Sequence, residues 1–80
     1  MTPVITYEVQ GRRTERDPGG GARNIVRLAT APSRQAAFGI AEAMAAERLT
    51  VWVFRAERRS GRSTYDLLGV VPEPGRERRA

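Results

Sequence analysis

The fold of this chain is decided at its centre, where residues 33–49 read SRQAAFGIAEAMAAERL. Apolar side chains recur there at the spacing of an amphipathic helix, about 100° per residue, over positions 34–48. They are Ala37, Phe38, Ile40, Ala41, Met44 and Ala45, and Leu49 extends this face beyond the helix. Ser33 follows a proline and can cap the helix, because its side chain can accept a hydrogen bond from a free backbone N–H of the first turn. The stretch therefore predicts one helix that buries a single apolar face.

Two strands are predicted before the helix. Residues 4–10 (VITYEVQ) and residues 24–30 (NIVRLAT) alternate apolar and polar side chains, which is typical of half-buried strands. Residues 11–23 between them read GRRTERDPGGGAR, where an Asp-Pro-Gly turn signal is followed by two further glycines. This composition predicts a long, mobile, arginine-bearing hairpin loop.

Two more strands are predicted after the helix. Residues 50–57 contain the run Val-Trp-Val-Phe, whose β-branched and aromatic side chains favour a strand. Residues 58–62 form a turn with Ser60 and Gly61 at its tip, and residues 63–71 return as the last strand. Residues 73–80 are charged and lack an apolar anchor, which predicts a disordered basic tail. The chain is thus expected to form one domain over residues 1–72.

The predicted order is β-β-α-β-β, an α+β fold in which one helix packs on one face of an antiparallel sheet. Strand alternation leaves open which side of each strand is buried. In the third strand, Trp52 and Phe54 alternate with the charged Arg55 and Glu57, so we expect the two aromatic side chains to face the helix. The same choice along the sheet gives a core of Ile5, Tyr7, Val9, Val26, Leu28, Trp52, Phe54, Tyr65, Leu67 and Val71.

The composition excludes several kinds of chemistry. The 80 residues contain no His and no Cys, which rules out zinc sites of imidazole or thiolate ligands and His-dependent catalytic triads. The glycine run at residues 19–21 lacks the Gly-Lys-Ser/Thr of a phosphate-binding loop. We predict no enzymatic activity and no metal or cofactor. The sequence has no readable signal peptide and no apolar stretch that spans a bilayer, which indicates a soluble, cytoplasmic protein with no membrane partner.

Apolar side chains on the face of the sheet away from the helix suggest a binding surface. With the aromatic residues of the third strand turned inward, this surface consists of Ile25, Val51, Val53, Leu68 and Val70. A contiguous apolar patch of this kind marks an interaction surface, and self-association is a common use of it in a small protein. We therefore expect a non-catalytic protein-interaction or regulatory module that forms a homo-oligomer or binds an unidentified protein partner. The alternatives are that scattered apolar residues are ordinary there, or that the tail or loop covers them.

The net charge of +5 supports a second interpretation, binding to nucleic acid. The candidate contacts come from the first loop and the second hairpin. They are Arg12, Arg13, Arg55, Arg58, Arg59 and Arg62. Acidic residues are interleaved with them, and no aromatic side chain accompanies them to stack on bases. All 14 basic residues are Arg, which a GC-rich coding composition also explains.

Overall fold

The computed structural model describes residues 2–72, which form five secondary-structure elements. These are β1 (Val4–Arg16), β2 (Ala22–Ala31), α1 (Arg34–Ala46), β3 (Thr50–Arg59) and β4 (Arg62–Val71). The predicted β-β-α-β-β order and α+β class are confirmed. The predicted tail at residues 73–80 lies outside the described residues.

The four strands form one antiparallel sheet in the order β2-β1-β3-β4, so β1 and β3 are central. β1 and β2 form the first hairpin, and β3 and β4 form the second. Because β1 and β3 run in opposite directions, the turns of the two hairpins project from opposite ends of the sheet. The molecule is accordingly elongated, measuring 53 × 30 × 17 Å. The helix connects β2 to β3 and packs on one face of the sheet, mainly against the central strands.

The first hairpin is longer and more regular than the sequence indicates. The prediction of a loop over residues 11–23 is wrong in extent, because β1 continues to Arg16 and β2 begins at Ala22. Only residues 17–21 form the turn, which is closed by a hydrogen bond from the Asp17 N–H to the Gly21 carbonyl at 2.8 Å. Strands can pair through backbone hydrogen bonds without apolar side chains. Because this stretch is almost entirely polar, it lacks the alternation of apolar and polar residues from which a strand is predicted. The mobility of the hairpin stays a prediction.

The core between sheet and helix is built from small side chains. Its buried members are Val9, Ala31, Ala37, Ala41, Leu49, Val51 and Val53. Two alanines of α1 contact the sheet and bring the helix close to it. A Cβ added at Gly11 of β1 would lie 3.0 Å from the Met44 sulfur and 3.2 Å from the Leu49 Cδ1 atom. The helix and its side chains thus fill the space over the central strands, which holds valine side chains there and leaves no room for tryptophan or phenylalanine.

The predicted buried side of β3 is therefore wrong. Val51 and Val53 are fully buried against the helix, and Trp52 and Phe54, which are half-buried, point to the opposite face. Strand β2 is inverted in the same way, since Val26 and Leu28 are exposed. Tyr7, Val9 and Val71 lie in or against the core as predicted. Ile5, Tyr65 and Leu67, also predicted to be core residues, are exposed.

A β-bulge in β4 changes which side chains share a face. Phe54 pairs with Leu67 and Val53 with Gly69, so Leu68 is the extra residue. The Leu68 side chain packs against the core. The Gly69 position contacts the helix, because a Cβ there would lie 3.4 Å from the Phe38 ring. Beyond the bulge, Val70 lies opposite Trp52 and faces away from the helix.

The helix and the second hairpin begin and turn as expected. Ser33 is the N-cap, and its hydroxyl oxygen accepts a hydrogen bond from the Ala36 N–H at 3.1 Å. The hairpin turns at Ser60 and Gly61, whose φ angles of 49° and 79° are those of a tight two-residue turn. The helix ends at Ala46 rather than at the predicted residue 48, because Arg48 adopts a φ of 67° that reverses the chain toward β3.

Candidate binding surface on the open face of the sheet

The open face is the side of the sheet that α1 does not cover, and an apolar patch occupies its β3 and β4 half. Alternation from the buried Val51 and Val53 turns Trp52 and Phe54 toward this face. The register then places the side chains of β4 beside them. We call the resulting set the β3–β4 patch; it consists of Trp52, Phe54, Tyr65, Leu67 and Val70.

Several of these side chains are unusually accessible for their size. Tyr65 is 57% exposed and Leu67 is 55% exposed, and on the far side of the same face Leu28 is 72% and Val26 is 49% exposed. Among residues 2–72, α1 is the one element outside the sheet that packs on it, and it lies on the other side. The open face thus presents large apolar side chains at both of its edges.

Polar side chains of β1 separate the two apolar areas. Glu8 pairs with Phe54, Gln10 pairs with both Trp52 and Leu28, and Arg12 pairs with Val26. Gln10, Arg12, Trp52 and Phe54 line a shallow depression of about 230 Å³. Its walls carry an amide, a guanidinium group and two aromatic rings. This arrangement suits contact with another surface better than enclosure of a small molecule, because ligand pockets are deep and largely closed.

The predicted interface residues lie mostly on the wrong side of the sheet. Val51 and Val53 are part of the core and cannot contact a partner. Ile25 and Leu68 also pack against the core, from the edge strands. Val70 alone lies on the open face. The prediction of an apolar open face is nevertheless met by other residues, and the missed signal is the run of alanines in α1, which leaves room only for small sheet residues.

Three of the arginines predicted to contact nucleic acid take part in ion pairs within the chain. Arg13 donates to the Glu47 carbonyl at the end of α1, and it lies 3.3 Å from the Glu15 carboxylate. Arg55 and Arg59 both approach the Glu57 carboxylate, at 3.2 and 3.4 Å. A cation at a helix C-terminus satisfies a free carbonyl and interacts favourably with the negative end of the helix dipole. Arg13 therefore has a structural role.

The other predicted arginines are widely separated. Arg12 and Arg58 both lie on the open face, but at opposite ends of β3, opposite Thr50 and Val4 respectively. Arg62 adjoins the turn of the second hairpin. The idea of a basic hairpin beside a basic loop is therefore wrong, since the two hairpins point in opposite directions. The expectation that no aromatic residue accompanies the arginines is also wrong, because Arg12 shares its depression with Trp52.

Comparison with known proteins identifies no relative of this chain: no protein-family model, curated protein or solved structure matches it. Within residues 2–72, no helix is long and apolar enough to cross a membrane. A function must therefore be inferred from the open face itself.

Proposed function

We propose that this chain is a non-catalytic protein-interaction module that self-associates through the open face of its sheet. The observation that carries the proposal is the group of large apolar side chains on that face, five of which are about half exposed or more. These five are Val4, Val26, Leu28, Tyr65 and Leu67. Exposed apolar patches of a few hundred Å² mark interaction sites in small proteins.

The energetics favour covering this face. An antiparallel sheet with one solvated side normally carries polar residues there. Here the open face carries Trp52, Phe54 and Leu67, whereas the largest fully buried side chains of the described chain are three valines. At about 25 cal/mol per Å², hiding some 300 Å² of apolar surface contributes roughly 7 kcal/mol before the costs of association. That is comparable with the total stability of a small domain.

The same features argue against catalysis. The chain has no His or Cys to act as base or nucleophile. Glu15, Glu47 and Glu57 lie within 4.0 Å of arginine side chains rather than facing one another across a cleft. We extend the proposal to a cytoplasmic location, because a chain without cysteine needs no oxidising compartment.

A second candidate function is the binding of single-stranded nucleic acid on the same face. Its support is the depression in which Arg12 adjoins Trp52 and Phe54, since arginine and aromatic side chains together bind phosphates and stack on bases. It ranks second because most of the exposed apolar residues of the face are aliphatic and offer no stacking surface. Glu8, which neighbours Phe54, would also repel phosphate.

Sedimentation equilibrium of the wild type and of Leu67→Glu tests the first candidate. Leu67 lies off the core, so we expect the variant to keep its far-ultraviolet circular dichroism spectrum and to sediment as a monomer where the wild type is dimeric. Gln35→Glu, on the exposed surface of α1, is the matched control and should sediment as the wild type does. A wild type that stays monomeric and binds a labelled single-stranded oligonucleotide with a steep salt dependence would favour the second candidate.

A further inference from the structure

We propose that two copies of the chain stack their open faces about a two-fold axis that runs across the strands, over one row of residues. This inference rests on the proposed self-association and specifies its geometry. The row is defined by the register of the sheet: Gln10 pairs with Leu28 on one side and with Trp52 on the other, and Trp52 pairs with Val70. We call these four residues the central row. With the axis above it, β1 of one protomer lies antiparallel over β1 of its partner.

The central row is complementary to itself. The two-fold axis places each of its residues over its own copy, as a symmetric interface requires. Leu28, Trp52 and Val70 then meet identical apolar side chains. Gln10 meets the partner's Gln10, and its amide carries both donors and an acceptor, so the two copies satisfy each other. No member of the row is left with a mismatched partner.

The charges of β1 provide the second argument. Glu8 and Arg12 stand two residues to either side of Gln10 and share its face. Four residues of strand span about 13 Å, so the two side chains are too far apart to pair within one protomer. Neither belongs to an ion pair among residues 2–72. The axis over the central row places Glu8 above the partner's Arg12, and Arg12 above the partner's Glu8.

The other axis in the interface plane lacks this complementarity. An axis parallel to the strands, between β1 and β3, would place Glu8 above the partner's Phe54 and Arg12 above the partner's Thr50, following the register of these two strands. Both charges would then lose water without gaining a partner, which is strongly unfavourable. The axis across the strands is therefore the one that the charges select.

In this dimer the two sheets overlap most along β1. The axis over the central row places β1 on its copy from Val4 to Arg16, together with about seven residues of β2 and only those residues of β3 and β4 that lie nearest the row. At about 4.8 Å between strands this gives a flat shared area of roughly 450 Å² per protomer, which side-chain relief increases toward the lower end of specific interfaces. Stacked sheets also pack about 10 Å apart, a gap that large apolar side chains of the central row such as Leu28 and Trp52 fill.

Charge reversal tests this geometry. Glu8→Arg places two arginines opposite each other twice in the dimer, and Arg12→Glu does the same with glutamates. We expect each single variant to raise the dimer dissociation constant at least about 30-fold in sedimentation equilibrium at low salt. The double variant, Glu8→Arg with Arg12→Glu, restores opposite charges and should return to within about threefold of the wild type. Glu42→Arg, on the exposed side of α1, controls for the change in net charge.

The possible outcomes separate this geometry from the function on which it rests. A wild-type dimer that Leu67→Glu dissociates, but whose single charge variants are not rescued by the double variant, would retain the interface and overturn the axis. A monomeric wild type would overturn both. If Glu8→Arg instead tightened binding of a labelled single-stranded oligonucleotide to a monomer, the open face would be a nucleic-acid surface and the dimer would be wrong.

Discussion

The two faces of the sheet differ in the size of the side chains they carry. On the helix side, β3 contributes Val51 and Val53, and β1 contributes Gly11 beneath the Met44 and Leu49 side chains. On the open face, the same β3 contributes Trp52 and Phe54. The comparison teaches that the space beneath an alanine-rich helix, rather than hydrophobicity alone, decides which side of a strand is buried. The two aromatic groups of β3 are left on the outside, where they are available to a partner.

Substitutions of equal chemistry on the two faces should have very different effects, and the largest is expected at Val53. Val53→Glu puts a carboxylate into a fully buried site, which costs several kcal/mol and approaches the total stability of the domain. We expect the variant to lose its cooperative thermal transition in circular dichroism, whereas Leu67→Glu on the open face keeps one. A Val53→Glu protein that melts like the wild type would reverse the assignment of the two faces.

The next largest effect is expected at Gly11. A methyl group there would approach the Met44 sulfur at 3.0 Å and Leu49 at 3.2 Å, so Gly11→Ala should lower the free energy of unfolding by about 1–3 kcal/mol. The matched control is Gly39→Ala, since Gly39 lies in the exposed part of α1 with open space around it. Alanine there should raise stability by up to about 1 kcal/mol. Urea denaturation measures both, and equal effects at the two glycines would show that the helix does not approach β1.

The smallest effect distinguishes two neighbouring arginines that point to opposite faces. Arg13→Gln removes the charged donor at the end of α1 and should cost about 1 kcal/mol of stability without changing the dimer dissociation constant. Arg12→Gln should change stability by less than about 0.5 kcal/mol but weaken association. Urea denaturation at a concentration where both proteins are monomeric, followed by sedimentation equilibrium, separates the two effects. The reverse pattern would contradict the roles assigned to the two side chains.

The order of elements was predictable because each left a periodic pattern. The alanines, Phe38, Ile40 and Met44 repeat at helical spacing, and Ser33 marks the start of the helix. The turn at Ser60 and Gly61 was predictable as well, since it needs two residues with positive φ and one of them is glycine. These features depend on residues close together in the chain, so a single sequence is enough to predict them.

The buried side of each strand was not predictable in the same way. Alternation divides β3 into two sets of residues, and Arg55 and Glu57 appeared to mark their set as exposed. In the structure they share a face with Val51 and Val53, because they pair with each other at 3.2 Å and stay half-buried. The presence of charge in a set therefore does not decide which set is buried.

The composition of the candidate site depends on contacts between distant parts of the chain. The bulge at Leu68 shifts the alternation of β4 by one residue, and its local sign is the adjacent Gly69, since an isolated glycine within a strand often marks a bulge. The first hairpin likewise gains its length from pairing between polar strands, including ion pairs from Arg23 to Glu15 and Asp17. An apolar open face could thus be anticipated, but most of its residues could not.

Trp52 provides the most direct test of the open face as a binding surface, because it is the single tryptophan of the chain and belongs to the central row. Its fluorescence should be measured from dilute to concentrated protein, with acrylamide as quencher and with sedimentation equilibrium in parallel. We expect a blue shift and a loss of quenching that follow the fraction of dimer, and neither change in Leu67→Glu. An emission spectrum and quenching constant that do not vary while the protein dimerises would show that association uses another surface.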